Sequence, residues 1–212
     1  MEEYNPGRKK GEPGKQGRAP VPSKRQFKIA MERCEGYPFA KRNQLLLVMM
    51  FALGLRPKEA SSLLLGDIYN FKQQSVVPVL TLLKLYTKRS KVRQIPLNNE
   101  TLIEHIHEYL EERKKGKARH YHESSPLFLS KRGGPFTANS LGNLMNTLLE
   151  KRANISRASS YSGRRYFATN VMKNGNDINT LRILMGHESL ATTQRYIEGD
   201  PESMMNATKG VI

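Results

Sequence analysis

Nine consecutive residues, Leu45 to Leu53, are apolar, and Gly54-Leu55-Arg56-Pro57 follows them at once. A membrane span needs about 20 such residues, so this run is too short to cross one. Its apolar side chains fall on all sides of a helix rather than along one stripe, the pattern of an element packed on every side. The sequence therefore predicts a central buried helix over about Phe39 to Leu53, the spine of the core. Gly54 suits a left-handed stop, and Pro57 suits the first turn of a further helix reaching about Leu65. Arg56 is thereby placed in a sharp turn between two helices.

On either side of this spine the texture is mostly helical. A first helix begins near Phe27, and helical spacing returns at Asn98 to Lys115 and at Thr137 to Arg152, with Thr137 as an N-cap. Three short helices follow at about Tyr161 to Lys173, Asp177 to Leu184 and Leu190 to Ile197, interrupted at Gly175 and at Gly186-His187. Between Ser75 and Leu97, runs rich in Val, Ile and Leu flank Lys84 to Lys91, which reads as a β-hairpin with a basic tip. The expected fold class is mainly α with a small antiparallel β-sheet (α+β), without internal repeats.

The chain has 212 residues, enough for one compact domain and a tail. Residues 1–25 hold four Pro, four Gly and seven Lys or Arg, with hardly any large aliphatic residue. Such a segment cannot bury enough surface to offset its ordering entropy, and it reads as a disordered basic N-terminal arm. The arm either merely solubilises the chain or follows DNA phosphates. Residues 26–198 form the ordered domain, and 199–212 a tail whose Met204, Met205, Val211 and Ile212 are apolar enough to dock.

Charge narrows the partners. Thirty-five Lys and Arg against 19 Asp and Glu give a net charge of +16, an excess that calls for a polyanion. Nucleic acid and an anionic membrane surface both satisfy it. The first residues lack the apolar segment of a secretory signal. Cys34 is the single cysteine, which excludes an internal disulfide and a thiolate zinc cluster and suits a reducing compartment.

Several chemistries lack their residues. The carboxylates are scattered over helix faces rather than grouped as in two-metal nucleases. No Gly-rich loop ends in Lys-Ser or Lys-Thr, and Gly133-Gly134-Pro135 reads as a turn. His120 and His122 have no further ligands nearby and read as a solvated loop. What remains is a set of cations and one tyrosine at the borders of elements, where side chains can converge. Arg56 and Glu59 share a helical face, as do Tyr161 and Arg164. Taken singly, Arg56, His187 and Tyr196 are each as well explained by solvation, turn packing or core packing.

Their joint order is specific. Gly54-Leu55-Arg56-Pro57-Lys58-Glu59-Ala60 with Leu63 and Asp67 comes first, then Lys88-x-x-Lys91-x-Arg93-x-Ile95-Pro96. Tyr161-x-x-Arg164-Arg165-x-Phe167-Ala168-Thr169 follows, and Leu184-Met185-Gly186-His187 with Thr193-x-x-Tyr196 completes the series. Over roughly residues 27–197 this resembles the catalytic domain of the tyrosine recombinase, or phage integrase, family. Pro126 to Ser130 and Ser140-Leu141 resemble the family's central segment, which carries no chemistry.

The resemblance implies a site-specific DNA recombinase in which Tyr196 attacks a DNA phosphodiester and forms a 3′-phosphotyrosyl link, with no cofactor and no metal. It makes Arg56 and Arg164 the phosphate-gripping pair. Lys88 becomes the general acid for the departing 5′-oxygen, with Lys91 its nearest rival, and His187 a hydrogen-bond partner of the phosphate. Glu59 and Asp67 resemble supporting carboxylates, and Arg89, Lys91, Arg93 and Arg165 read as DNA phosphate contacts. The implied partner is double-stranded DNA, bound by four identical subunits on two paired sites, with accessory DNA-bending proteins and no membrane. The implied setting is a mobile element or other recombining DNA in the cytoplasm, associated with the nucleoid. The family also passes a terminal segment between subunits, a role that 199–212 could fill.

The sequence departs from the family pattern in two ways. Tyr161 stands where the family most often has a histidine, and a phenol with a pKa near 10 is a poor proton shuttle at neutral pH. About 26 residues precede the first predicted helix, so the helical core-binding domain that completes a clamp in many members is expected to be missing. Two other functions stay open: a catalytically weak relative that acts as a DNA-binding regulator or accessory factor, and a relaxing type IB topoisomerase using the same tyrosine chemistry.

Overall fold

The computed structural model describes residues 18–83, 92–116 and 121–197. The spine appears as helix α2, Ala40–Ala52, in which every residue from Arg42 to Phe51 is buried. Burial thus extends to the polar first half, which the apolar run does not announce. Arg42 is tolerated there because its Nε and Nη2 donate to Asn43 Oδ1 at 3.1 and 2.8 Å and its Nη1 to the Leu129 carbonyl at 2.7 Å. Its guanidinium also lies over the rings of Phe39 and Phe136, at 4.4 and 5.2 Å.

Helix α1, Lys24–Glu32, starts earlier than expected and lies partly within the span read as an arm. The sign was present in Ser23-x-x-Gln26. Ser23 Oγ accepts the Gln26 N–H at 3.2 Å, and Gln26 Oε1 accepts the Ser23 N–H at 2.8 Å, a reciprocal capping box. Residues 1–17 of the arm and 198–212 at the other end lie outside the described residues.

Helix α3, Pro57–Ser62, ends sooner than its periodicity suggests. The hydroxyls of Ser61 and Ser62 both donate to the Lys58 carbonyl, at 3.1 and 2.8 Å, and compete with the backbone ladder. The chain then runs extended beside the central segment, where the Leu63 carbonyl accepts the Leu127 N–H at 2.8 Å and Leu65 N–H donates to Ser125 at 2.9 Å. A single turn of 3₁₀-helix, Leu65–Asp67, closes this stretch.

The expected sheet is divided in two. Strands β1, Tyr69–Asn70, and β2, Ser75–Val76, form a short antiparallel pair. A second pair consists of β3, Val79–Leu82, and β4, Arg93–Pro96. The first pair is too short for periodicity to reveal, but Asn70 Oδ1 accepts the backbone N–H groups of Lys72 and Gln73 and closes its turn. In the second pair Leu80 lies opposite Ile95 and Leu82 opposite Arg93. The basic tip, residues 84–91, lies outside the described residues.

Helix α4, Glu100–Lys115, is capped by Asn99 and packs on α2. Thr137 caps α5, Ala138–Asn146, as expected, but the helix continues through Thr147–Arg152 as a π-helical stretch. The last three helices are α6, Ser160–Lys173, α7, Ile178–Met185, and α8, Leu190–Ile197. Helix α6 lies close to α2 because residue 163 is glycine, where a Cβ would fall 2.8 Å from a Phe51 ring carbon and 2.9 Å from the Met50 carbonyl. Phe27, Phe51 and Tyr166, with ring centroids 4.7 to 6.1 Å apart, join α1, α2 and α6. The fold is therefore mainly helical with small antiparallel sheets, as the sequence predicts. No helix among the described residues is long and apolar enough to cross a membrane.

Candidate active site

Two clusters of charge meet where the ends of α2, α3, β4, α6 and α7 converge. The first is built on the turn after α2. Gly54 stops that helix with φ +59°, a conformation that glycine adopts at little cost, and the chain turns into Arg56 and Pro57. Glu59, at the third position of α3, reaches back so that its Oε2 accepts the Arg56 backbone N–H at 2.7 Å, and its Oε1 accepts Arg56 Nη1 at 2.8 Å. Arg93 Nη2 donates to Glu59 Oε2 at 2.6 Å, and Arg93 Nη1 to the Leu184 carbonyl on α7. One fully buried carboxylate thus holds two guanidiniums. Burial opposes its charge, but Arg93, the Arg56 N–H, Arg164 and the Arg56 guanidinium outweigh that and keep its carboxyl below the usual range.

The second cluster surrounds Arg164, one turn into α6 and 1% exposed. Ser159 caps this helix and Ser162 Oγ accepts the Ser159 N–H at 3.1 Å, which fixes its first turn. Arg164 Nη1 donates to the Gly54 carbonyl and Nη2 to the Met185 carbonyl, both at 2.5 Å, and Nη2 also lies 2.9 Å from His187 Nε2. Its partners are thus carbonyls at the ends of α2 and α7, the negative ends of two helix dipoles, together with one imidazole. Burial, with Arg56 and Arg93 adding to it, pushes its pKa down to about 10. The guanidinium stays charged at neutral pH and is only partly compensated.

His187 follows Gly186, which ends α7 with φ +59°, and its backbone N–H returns to the Arg182 carbonyl at 3.0 Å. A Cβ at Gly186 would fall 2.9 Å from Arg93 Cδ, so glycine there also lets Arg93 reach Leu184. Burial and then Arg164, Arg56 and Arg93 push the His187 pKa down to about 3, and the ring is neutral. Its Nδ1 lies 2.9 Å from Thr193 Oγ1 on α8. The ring of Tyr196, also on α8, stands 5.4 Å from that of His187 at an interplanar angle of 32°, half-buried against Phe167, Ala168, Leu181 and Met185. An open cleft of about 820 Å³, lined by Val92, Gln94, Arg182, His187 and Glu188 among others, borders this centre.

A model of the phage integrase family matches residues 23–203, most of the chain. This chain belongs to the phage integrase family. It is 33% identical over 162 residues to the tyrosine recombinase XerC of Halalkalibacterium halodurans, covering 75% of this chain and 50% of the relative. It is 28% identical over 172 residues to XerC of Bacillus subtilis, covering 80% and 53%. The chain therefore spans about half the length of the curated relatives it matches. Among solved structures, the XerA recombinase superposes with a TM-score of 0.72 at 22% identity, covering 90% of this chain and 65% of that one. The XerH recombinase bound to its difH substrate superposes with a TM-score of 0.65 at 19% identity, covering 91% and 55%. At these identities both show the fold.

The phage integrase fold brings Arg56, Glu59, Arg164, His187 and Tyr196 close to one another. Four other expected residues have the following placements. Arg93 is not a surface phosphate contact: it is buried between Glu59 and Leu184. The signal lay in strand alternation, since Arg93, Ile95 and Leu97 are in phase and all three are buried. Asp67 accepts the Leu64 N–H at 2.8 Å and so caps the 3₁₀ turn. Tyr161 is 55% exposed on the first turn of α6. Arg165 is partly covered and donates through Nη1 to the Ala19 carbonyl of the segment before α1. Lys88, Arg89 and Lys91 lie outside the described residues. Thr193, which the sequence marked only as part of a motif, is wholly buried against His187.

Proposed function

We propose that this chain is the catalytic part of a site-specific DNA recombinase that works by transesterification. The observation that carries the reading is the Arg164 centre: a buried, charged guanidinium held by carbonyls and a neutral imidazole, with Arg56 and Arg93 in electrostatic reach and a tyrosine at its edge. Such a centre attracts an anion, and a DNA phosphodiester supplies one beside the Tyr196 hydroxyl. The XerH recombinase bound to its difH substrate, and the Tn1549 transposon integrase of the same fold in complex with transposon right end DNA, support double-stranded DNA as the partner.

In this reading the Tyr196 oxygen attacks phosphorus and the bond to the 5′-oxygen breaks. Lys88 donates the proton that the departing oxygen needs, with Lys91 the alternative donor. Arg56 and Arg164 meet the non-bridging oxygens as charge builds on them, and His187 borders the same phosphate. The bond energy is kept in the phosphotyrosyl link, so another strand's 5′-hydroxyl can reverse the attack without a cofactor. Four chains on two paired sites, aided by DNA-bending proteins, complete the exchange, and the tail 199–212 passes to a neighbouring subunit.

The test uses a pool of nicked duplexes of randomised sequence, in which cleavage near the nick releases a short strand and traps the adduct. Wild type forms a denaturant-resistant DNA adduct, Tyr196→Phe forms none, and sequencing the trapped DNA reads the site. A wild-type chain that binds the duplexes without forming an adduct would instead act as a DNA-binding regulator.

A further inference from the structure

Thr193 has a place in this centre that the reaction as described does not use. Arginine only donates hydrogen bonds, so the contact of 2.9 Å between Arg164 Nη2 and His187 Nε2 requires that Nε2 accept. His187 is neutral, with its pKa down at about 3, so the ring's one proton sits on Nδ1. That nitrogen is 2.9 Å from Thr193 Oγ1, which therefore accepts the Nδ1–H. Both residues are buried, His187 at 6% and Thr193 at 0% exposure, so water does not substitute for either partner. Thr193 stands three residues before Tyr196 on α8, and residues at that spacing share a helical face. A hydrogen-bonded chain thus runs from Arg164 on α6 through His187, after α7, to Thr193 on α8. Tyr196, on the same face, stacks near the same imidazole.

We infer that Thr193 is a positioning residue for the nucleophile: through His187 it ties helix α8, and with it Tyr196, to the Arg164 centre. The inference rests on the reading of Tyr196 as the nucleophile. The threonine touches no reacting atom. It fixes the imidazole orientation in which Nε2 faces Arg164, and it fixes the height and rotation of α8 against that ring. A helix of eight residues has little propensity to hold its place alone, so its position depends on such tertiary bonds.

The test compares Thr193→Val, which keeps the branched shape and removes the hydroxyl, with Thr193→Ser, which keeps the hydroxyl. Adduct formation by Thr193→Val at saturating DNA falls by a factor on the order of 10², the size that a misplacement of about 1 Å produces. Affinity for the nicked duplex stays at the wild-type level, and Thr193→Ser recovers the rate to within a few-fold. In protein labelled with ¹⁵N-histidine and free of DNA, the His187 Nδ1 proton, assigned by its loss in His187→Gln, is protected from exchange in wild type and Thr193→Ser and exposed in Thr193→Val. A wild-type cleavage rate in Thr193→Val, a serine variant as slow as the valine one, or a Nδ1 proton unprotected in the wild type would each overturn the inference. If wild type forms no adduct, the nucleophile reading falls together with this role. Loss of Nδ1 protection with adduct formation intact removes the Thr193 tie alone.

Discussion

The two arginines expected to grip phosphate are held in opposite ways. Arg56 caps a helix, keeps 29% of its side chain exposed and is paired with a carboxylate that also carries Arg93. Arg164 is buried, and its hydrogen-bond partners are the carbonyls of Gly54 and Met185 and the imidazole of His187. The Glu59 cluster sets one carboxylate between two guanidiniums and fastens α3, β4 and α7 to one another. The Arg164 cluster has no carboxylate among the hydrogen-bond partners of its guanidinium, only carbonyls and a neutral imidazole. Two cations of the same type are thus held by different kinds of partner, a carboxylate in one place and carbonyls with an imidazole in the other.

The contrast is tested most strongly at its carboxylate. Glu59→Gln leaves buried Arg93 without a counter-charge, and the folded state should lose about 3 to 5 kcal/mol in urea denaturation, the usual effect of breaking a buried pair from one side. Arg164→Lys keeps the charge but gathers its donors on one nitrogen, which cannot reproduce hydrogen bonds that leave from two separate nitrogens of a planar group. Its stability loss should be smaller, about 1 to 3 kcal/mol, while the rate of adduct formation drops on the order of 10² or more. Equal stability losses in the two variants would dissolve the distinction.

Acid separates the clusters as well. The folded-state pKa of His187 is depressed, so the unfolded chain binds the proton more readily. Stability is then intact above the unfolded value near 6.5 and falls as pH drops toward about 3. The slope from this residue is at most about 1.4 kcal/mol per pH unit. Glu59 is also depressed, so its contribution is present above its unfolded value of about 4.5 and is lost below it. Loss of stability in His187→Gln should therefore begin at lower pH than in wild type, and identical acid profiles would contradict the assignment. The smallest effect belongs to Tyr161. Tyr161→His at this exposed position should shift stability by no more than about 0.5 kcal/mol yet raise the rate of adduct formation, and a rate unchanged or lower would show that residue 161 does not handle protons.

Much of this was legible because local rules and the tertiary fold agree. Thr137, Asp177 and Gly186 end or begin helices where their chemistry says they should. Two shorter departures had local causes that periodicity overlooks, the serine hydroxyls that end α3 and the Asn70 turn between β1 and β2. Arg93 was misplaced for a different reason. A cation in a basic stretch reads as surface, and only the position of Glu59, 34 residues away in sequence, makes its burial tolerable.

What the amino-acid order determined alone was most of the helices, the central buried one among them, and the sequence of motifs that marks the family, because periodicity, capping and turn chemistry act over a few residues. What the tertiary structure decided was which charges are neutralised. The carbonyl of Gly54 reaches Arg164 from 110 residues away, and Arg93 spans 91 residues to Leu184. The desolvation of a guanidinium and the partners that offset it exist only once distant segments have packed, so the three-dimensional neighbours decide whether an arginine is met by a carboxylate or by carbonyls and an imidazole.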